Sequence, residues 1–147
     1  MRVHDSGRIH ARRGATLVEF AIVAFTLLLV MFAGLEVDRM LFVYTNLADA
    51  TKAGIRYAIT HGNDRTSEVS GPADNPAAVV DLIRYYVTGI DKSTLTVTVT
   101  YTDVDGDGVA NGAGDTVRAV VQYPYTPWVL LPFHATLSST STGRITF

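Results

Sequence analysis

The chain has 147 residues and a formal net charge of −2, with 12 basic and 14 acidic side chains and no cysteine. This length fits one domain, or one domain with a membrane anchor. The lack of cysteine excludes disulfides, thiolate catalysis and cysteine-based zinc sites, and the mildly acidic balance argues against nucleic-acid binding, which needs a basic surface.

A long apolar helix is the first element that the sequence predicts. From Leu17 to Leu35 the one strongly polar side chain is Glu19. Nineteen helical residues at ~1.5 Å each span about 28 Å, close to the ~30 Å hydrocarbon core of a bilayer. Four arginines precede this run, at positions 2, 8, 12 and 13, and by the positive-inside rule they place the N-terminus in the cytoplasm. We therefore expect a single pass through the inner membrane.

The helical pattern continues beyond the apolar run. No proline occurs before Pro72, and residues 61–64 (His-Gly-Asn-Asp) are typical of a helix end. We predict one helix from about Thr16 to Thr60, its first half in lipid and its second half packed on a soluble domain. Apolar or small residues recur at three- and four-residue steps, the period of an amphipathic helix: Val37, Leu41, Tyr44, Leu47 or Ala48, Thr51, Ile55 and Ala58 or Ile59.

A short second helix is predicted after a polar loop. Asp74 or Asn75 is suited to cap it, and Pro76 fits its first position, where a missing N–H costs nothing. The predicted buried stripe consists of Val80, Ile83, Val87 and Ile90.

Three strands are predicted in the remainder of the chain. Apolar residues at positions 95, 97, 99 and 101 alternate with threonines, which indicates a half-buried strand. Two further strands are expected from about Thr116 to Tyr123 and from about Ala135 to Phe147. The predicted fold class is α+β: a long N-terminal helix, a short second helix and a small antiparallel sheet packed against the long helix, which is a pilin-like architecture.

Two sets of residues resemble a known family. Gly14, followed by Glu19 and the aromatic Phe20, is similar to the processing motif of type IVb prepilins of the Flp and tight-adherence (Tad) class. The segments after it resemble the TadE-like pseudopilins: Gly34-Leu35-Glu36-Val37-Asp38-Arg39, Val43-Tyr44-Thr45-Asn46-Leu47, Ala50-Thr51-Lys52-Ala53-Gly54-Ile55-Arg56-Tyr57-Ala58 and Tyr123-Pro124-Tyr125-Thr126-Pro127.

The resemblance implies a division of the chain into three parts. Residues 1–14 are a cytoplasmic prepilin leader, which a prepilin peptidase removes by cutting between Gly14 and Ala15. Residues 15–36 are the transmembrane half of the long helix, and residues 37–147 form a periplasmic or extracellular pilin-like domain. Residues 1–14 contain four arginines and one aspartate, so their removal changes the formal charge from −2 to −5.

The resemblance also implies a role in assembly. We expect a minor pilin or pseudopilin that primes, caps or forms the tip of a Tad-type pilus, either inside the fibre or beside it. Its implied partners are the prepilin peptidase, other pilins or pseudopilins, the assembly platform and the inner membrane. No catalytic motif and no requirement for a cofactor are apparent in the sequence, so we do not expect an enzyme.

Glu19 is the residue of the apolar run that most needs an explanation, because a carboxylate at the centre of a membrane helix costs on the order of 2.5–3.5 kcal/mol. In one interpretation it pairs with the new amino group of Ala15 on a neighbouring subunit and fixes the axial register. In the other it lies at the cytoplasmic edge of the bilayer and reaches water.

An acidic loop resembles the beginning of a calcium-binding loop. Asp103, Asp105 and Asp107 occupy positions 1, 3 and 5, Gly108 falls at position 6 and Asn111 at position 9. Position 12 is Gly114 where a bidentate glutamate is expected, and Asp115 follows one residue later. Calcium is therefore one interpretation, and a flexible, solvated hairpin turn is the other.

Two other interpretations of the N-terminus lead to two alternatives to a pilin. The N-terminus resembles an ordinary signal peptide less well, because the apolar run is longer than the usual 7–15 residues, and an uncleaved anchor is a further possibility. The chain could then be a membrane-anchored, calcium-stabilised binding module, or a secreted enzyme that has lost its leader.

Overall fold

Helix α1 covers Gly7–Thr60 in the computed structural model, which describes residues 7–62, 76–128 and 134–146, with side chains from Gly14 onward. The helix ends where the sequence predicts and begins earlier than the predicted Thr16. The chain divides into two compact units, Met1–Asp38 and Arg39–Phe147. The first unit contributes the exposed apolar part of α1, and the second holds the core.

Within the second unit, α1 buries one stripe of side chains on the core. The stripe recurs at steps of one, three and four residues, as one face of a helix requires: Val43, Leu47, Ala50, Thr51, Ile55 and Ala58. The predicted stripe is correct from Leu47 onward. It is wrong at Val37, Leu41 and Tyr44, which are 59%, 57% and 45% exposed. Four consecutive large apolar residues at 41–44 fit several faces of the helix, and Val43 is the one that points inward.

Helix α2 covers Ala77–Tyr86 and buries Val79 and Ile83, followed by Val87 just after its end. Val80, which was predicted to be buried, is half-buried. The buried side of the helix follows four-residue steps from Val79 instead. Pro76 is the N-cap residue and not the first helical one. The predicted caps Asp74 and Asn75 lie outside the described residues.

Two glycines allow close packing around α1. A Cβ atom on Gly54 would overlap the Ile83 side chain of α2. A Cβ atom on Gly143 would lie 2.6 Å from Cγ2 of Ile59 and 2.8 Å from Cγ2 of Ile55. Small residues are therefore required at both contacts, one with α2 and one with the sheet.

The sheet has three antiparallel strands in the order β1-β2-β3: β1 is Thr96–Thr102, β2 is Thr116–Tyr125 and β3 is Ala135–Arg144. A short 3-10 turn, Lys92–Thr94, precedes β1. Because side chains alternate along a strand, the odd-numbered residues share the core face, and Val117, Ala119 and Val121 of the central strand are fully buried. The α+β fold class predicted from the sequence is confirmed.

Two strand boundaries differ from the prediction. Strand β2 continues through Pro124 to Tyr125, two residues beyond the predicted end at Tyr123. Strand β1 begins at Thr96, opposite Gln122, so Pro124 pairs with Thr136 of β3 while its other side has no neighbouring strand in the ladder. Proline is tolerated at such an edge position. Strand β3 ends at Arg144, three residues earlier than predicted.

Side chains and backbone outside the ladders tie the second unit to α1. Asn46 of α1 donates from Nδ2 to the Thr88 carbonyl at 3.0 Å and accepts from the Thr88 N–H at 3.2 Å. The N–H and hydroxyl of Thr146 donate to the Ile59 carbonyl at 3.0 and 2.9 Å. That carbonyl lies in the last turn of α1, where intrahelical donors are missing.

The contact between Gly54 and Ile83 gives a stability prediction. Gly54→Ala gains up to ~1 kcal/mol of helix propensity, but overpacking a buried contact typically costs about 1–3 kcal/mol, and Ile83 is fully buried. We expect a lower melting temperature for the full chain in detergent micelles. The matched control is Gly34→Ala on the same helix, where an added Cβ meets nothing within 4 Å. Equal melting of the two variants would contradict the close approach of α1 and α2.

Candidate functional site

The residues of the predicted processing motif lie on the exposed surface of α1. Gly14, Ala15 and Glu19 are exposed, and Phe20 is 71% exposed. A Cβ atom on Gly14 would meet nothing within 4 Å, so packing among the described residues does not require a glycine there. Glycine costs about 1 kcal/mol relative to alanine inside a helix. Gly14 therefore weakens the helix at the predicted cut, with no packing reason among these residues.

The apolar run forms the exposed surface of the first unit. Among the described residues, one helix is long and apolar enough to cross a membrane; its best 18-residue window has a mean hydropathy of 2.4, and none of that window is buried. Leu17, Val30 and Leu35, for example, are 69%, 66% and 58% exposed. A contiguous apolar surface of this kind is typical of a segment covered by lipid or by other helices. The helix is thus consistent with a single membrane anchor.

The acidic loop between β1 and β2 brings three of its predicted ligands together. Carboxylate oxygens of Asp103, Asp105 and Asp115 all lie within 4.8 Å of one another. Asp107 is not part of this group. Asn111 lies in the same loop and is 5% exposed, while Asp115 is fully buried. Asp115, which comes one residue after position 12 of the loop, is therefore the third carboxylate of the group.

Backbone N–H groups hold these carboxylates in place. Asp103 accepts from Gly106 at 2.6 Å and from Gly108 at 2.9 Å, and Asp115 accepts from Val104 at 2.8 Å and from Gly112 at 2.9 Å. The bonds from Gly106 and Gly108 lower the pKa of the Asp103 carboxyl below its ordinary value of 3.8. Stabilisation by this group is therefore present above that ordinary value and is lost as the pH falls through the lowered pKa.

The geometry explains why glycine replaces the expected glutamate at position 114. Gly114 has a φ of +106°, which is strained for any other residue. Its N–H donates to the Ile145 carbonyl at 2.9 Å, and Arg144 Nε donates to its carbonyl at 2.9 Å. The backbone turns here to meet the end of β3, and the acid follows at Asp115.

Comparison with known proteins identifies the N-terminal part of the chain. A family model described as TadE-like protein matches residues 14–56. This segment is TadE-like. The match begins at Gly14 and includes the apolar run and much of the amphipathic half of α1. No curated protein and no solved structure matches the chain.

The resemblance drawn from the sequence is confirmed for residues 14–56, which are similar to the TadE-like family; the segment 123–127 is not part of the match. The match ends at residue 56. The second helix, the sheet and the acidic loop therefore lie outside the matched segment, and their roles must be argued from their own residues.

One cluster at the edge of the second unit escaped the sequence analysis. Arg39, within the TadE-like segment, lies with its Cζ atom 4.2 Å from the ring centroid of Trp128 and 4.9 Å from that of Tyr125. Its Nη1 donates to the Tyr125 hydroxyl at 3.3 Å and to the Thr126 carbonyl at 3.2 Å. Arg39 and Trp128 are so far apart along the chain that the sequence does not predict their contact; it shows only that one is a cation and the other an aromatic residue.

Calcium binding by the acidic loop stays a prediction, and the loop geometry sharpens its test. An ion bound by the folded form alone stabilises it by about 2.7 kcal/mol at a hundredfold excess over Kd. We expect a soluble fragment beginning at Arg39 to melt several degrees higher in millimolar calcium than in chelator.

The matched pair of variants is Asp105→Asn and Asp107→Asn. Each removes one charge, and each retains an oxygen for its bond from a backbone N–H, of Asp107 and Val109 respectively. Asp105→Asn should abolish the shift because Asp105 belongs to the carboxylate group, whereas Asp107→Asn should preserve it. No shift for the unaltered fragment would mean that the loop is a solvated turn held by its own backbone.

Proposed function

We propose that this chain is a minor pilin or pseudopilin that acts in the assembly of a Tad-type pilus after a prepilin peptidase has cut between Gly14 and Ala15. The observation that carries the proposal is the TadE-like match, which begins at Gly14 and runs through the apolar helix. The mature chain is anchored in the inner membrane by α1, with the second unit on the outer side. Its role is non-enzymatic: it primes, caps or forms the tip of the fibre.

The surroundings of Gly14 support a processing role for this residue. Neighbouring side chains among those described leave room for a Cβ atom, so the glycine is better explained by an outside requirement than by packing. The Gly14–Ala15 bond lies inside the helix, and a bond must leave a helix before a peptidase can bind it in extended form. Glycine lowers the cost of that local unwinding by about 1 kcal/mol relative to alanine.

Glu19 is proposed to pair with the amino group that cleavage creates on Ala15 of a neighbouring subunit. Ala15 and Glu19 are four residues apart, so they lie on the same face of α1, one turn from each other. A charge pair of this kind offsets the cost of placing a carboxylate in the apolar run. Because it needs one axial offset between neighbouring helices, it also sets the register in which they assemble.

The first test concerns the cut. The full chain, expressed with its peptidase and extracted from membranes, should lose residues 1–14 and begin at Ala15, as intact-mass measurement reports. Gly14→Leu should block cutting because the peptidase must accommodate this residue beside the scissile bond, whereas Gly14→Ala, the matched control, adds one methyl group and should still be processed. A product that begins near Leu35 would show an ordinary signal peptide, and an uncut chain would favour an anchored binding module.

The second test concerns Glu19. Glu19→Ala should remain in the membrane, because removing the charge makes insertion cheaper by roughly 2.5–3.5 kcal/mol, yet it should impair assembly in fibre-shearing or crosslinking assays. Thr26→Ala is the matched control: it removes a polar group from the same apolar run, a hydroxyl that donates to the Ile22 carbonyl at 2.8 Å, without changing charge. Normal assembly by Glu19→Ala at unaltered protein level would return Glu19 to the interfacial interpretation.

A further inference from the structure

We propose that the carboxylates of Asp103 and Asp115 protect three chemically labile dipeptides of the acidic loop from succinimide formation. Asp-Gly and Asn-Gly are the pairs in which this spontaneous reaction is fastest, because glycine has no side chain to hinder its backbone nitrogen. The loop contains three of them: Asp105–Gly106, Asp107–Gly108 and Asn111–Gly112. It is therefore a site of covalent modification whose reaction the folded chain suppresses.

The reaction needs water as its sole co-reactant. The backbone nitrogen of the glycine loses its proton and attacks the side-chain carbonyl carbon of the residue before it. The new N–C bond closes a five-membered succinimide ring, and the side chain expels water from aspartic acid or ammonia from asparagine. Water then opens the ring at either carbonyl and gives aspartate or isoaspartate, whose backbone is longer by one methylene group.

The shape of the loop explains why these labile dipeptides occur. Gly106 and Gly108 have φ of +78° and +87°, a region that other residues rarely adopt. At Gly112 a Cβ atom would lie 3.3 Å from Oδ2 of Asp115 and 3.5 Å from the Val109 carbonyl oxygen, so little room is left for a side chain. The turns of the loop thus favour glycine at each of the three positions.

The nitrogen of each of these glycines donates to a carboxylate other than the one it would attack. Gly106 and Gly108 donate to the two oxygens of Asp103, at 2.6 and 2.9 Å. Gly112 donates to Oδ2 of Asp115 at 2.9 Å. Two carboxylates therefore hold all three of the nitrogens that could close a succinimide in this loop.

A carboxylate at this place opposes the reaction in two ways. Its negative charge disfavours the negative charge that loss of the proton leaves on the glycine nitrogen. The nitrogen must also turn toward the preceding side chain, which breaks a charge-assisted hydrogen bond. The bonds from Gly106 and Gly108 lower the pKa of the Asp103 carboxyl, so its charge is present at neutral pH.

The test compares the folded chain with an unfolded reference. The full chain is incubated in detergent micelles at neutral pH with a chelator, so that no bound metal contributes, and the reference is a synthetic peptide of residues 101–116. After proteolysis, mass spectrometry reports deamidation of Asn111, and isoaspartyl methyltransferase with fragment mapping reports isoaspartate at positions 105 and 107. We expect each dipeptide to react at least about tenfold more slowly in the folded chain than in the peptide.

Asp103→Asn separates the role of this carboxylate from that of the fold. The amide offers one oxygen for two bonds and has no charge, so isoaspartate should form several-fold faster at Asp105 and Asp107. Deamidation of Asn111 in the same variant should keep its unaltered rate. Asp49→Asn is the matched control, because it removes one charge from an exposed side chain of α1, and it should change none of the three rates.

Each other outcome overturns the inference. Equal rates in the folded chain and the peptide would show that the loop gives no protection. Slow formation of isoaspartate in Asp103→Asn would assign the protection to the fold and not to the carboxylate. Faster reaction at all three dipeptides in that variant would show that the whole loop had opened, and would overturn a specific role of Asp103.

Discussion

Burial of one stripe of helix α1 holds the second unit together. Leu47, Thr51 and Ile55 lie within this stripe and are almost completely buried, and full burial of a leucine or isoleucine side chain contributes about 1.5–3 kcal/mol. Helix α2 reaches the stripe at Gly54, and the sheet reaches it at Gly143. Both contacts are possible because these two glycines have no side chain. The core therefore depends on the close approach of α2 and the sheet to α1.

The same helix is stable in its two units for different reasons. In the second unit burial of the stripe stabilises the helix, and the opposite face is exposed. In the first unit none of the most apolar 18-residue window is buried, and a lipid environment would favour the helix because every backbone group must then be satisfied within the segment. The TadE-like match, over residues 14–56, includes residues of both units.

The sequence predicts those features that depend on local pattern. The apolar run, the end of α1 and the strand alternation at Val97 and Val99 all come from periodicity or short spacing. The errors come from tertiary contacts. Val43 is the residue of a continuous apolar stretch that points into the core, and Pro124 fits in a strand because β1 does not extend to a position opposite it. The contact of Arg39 with Trp128 has no local signature, and the place of Asp115 in the carboxylate group follows from the backbone turn at Gly114.

The bond from Thr146 to Ile59 has a consequence for the order in which the chain folds. The two residues are separated by 87 positions, and closing a loop of that length carries an entropy cost that local helix formation does not. The first half of α1 needs only hydrogen bonds between residues four positions apart, so it carries no such cost. The last turn of α1 receives its bonds from Thr146 only where the end of the chain after β3 lies against the helix. The first half of α1 and the closure of the domain at its last turn therefore depend on contacts of very different range along the chain.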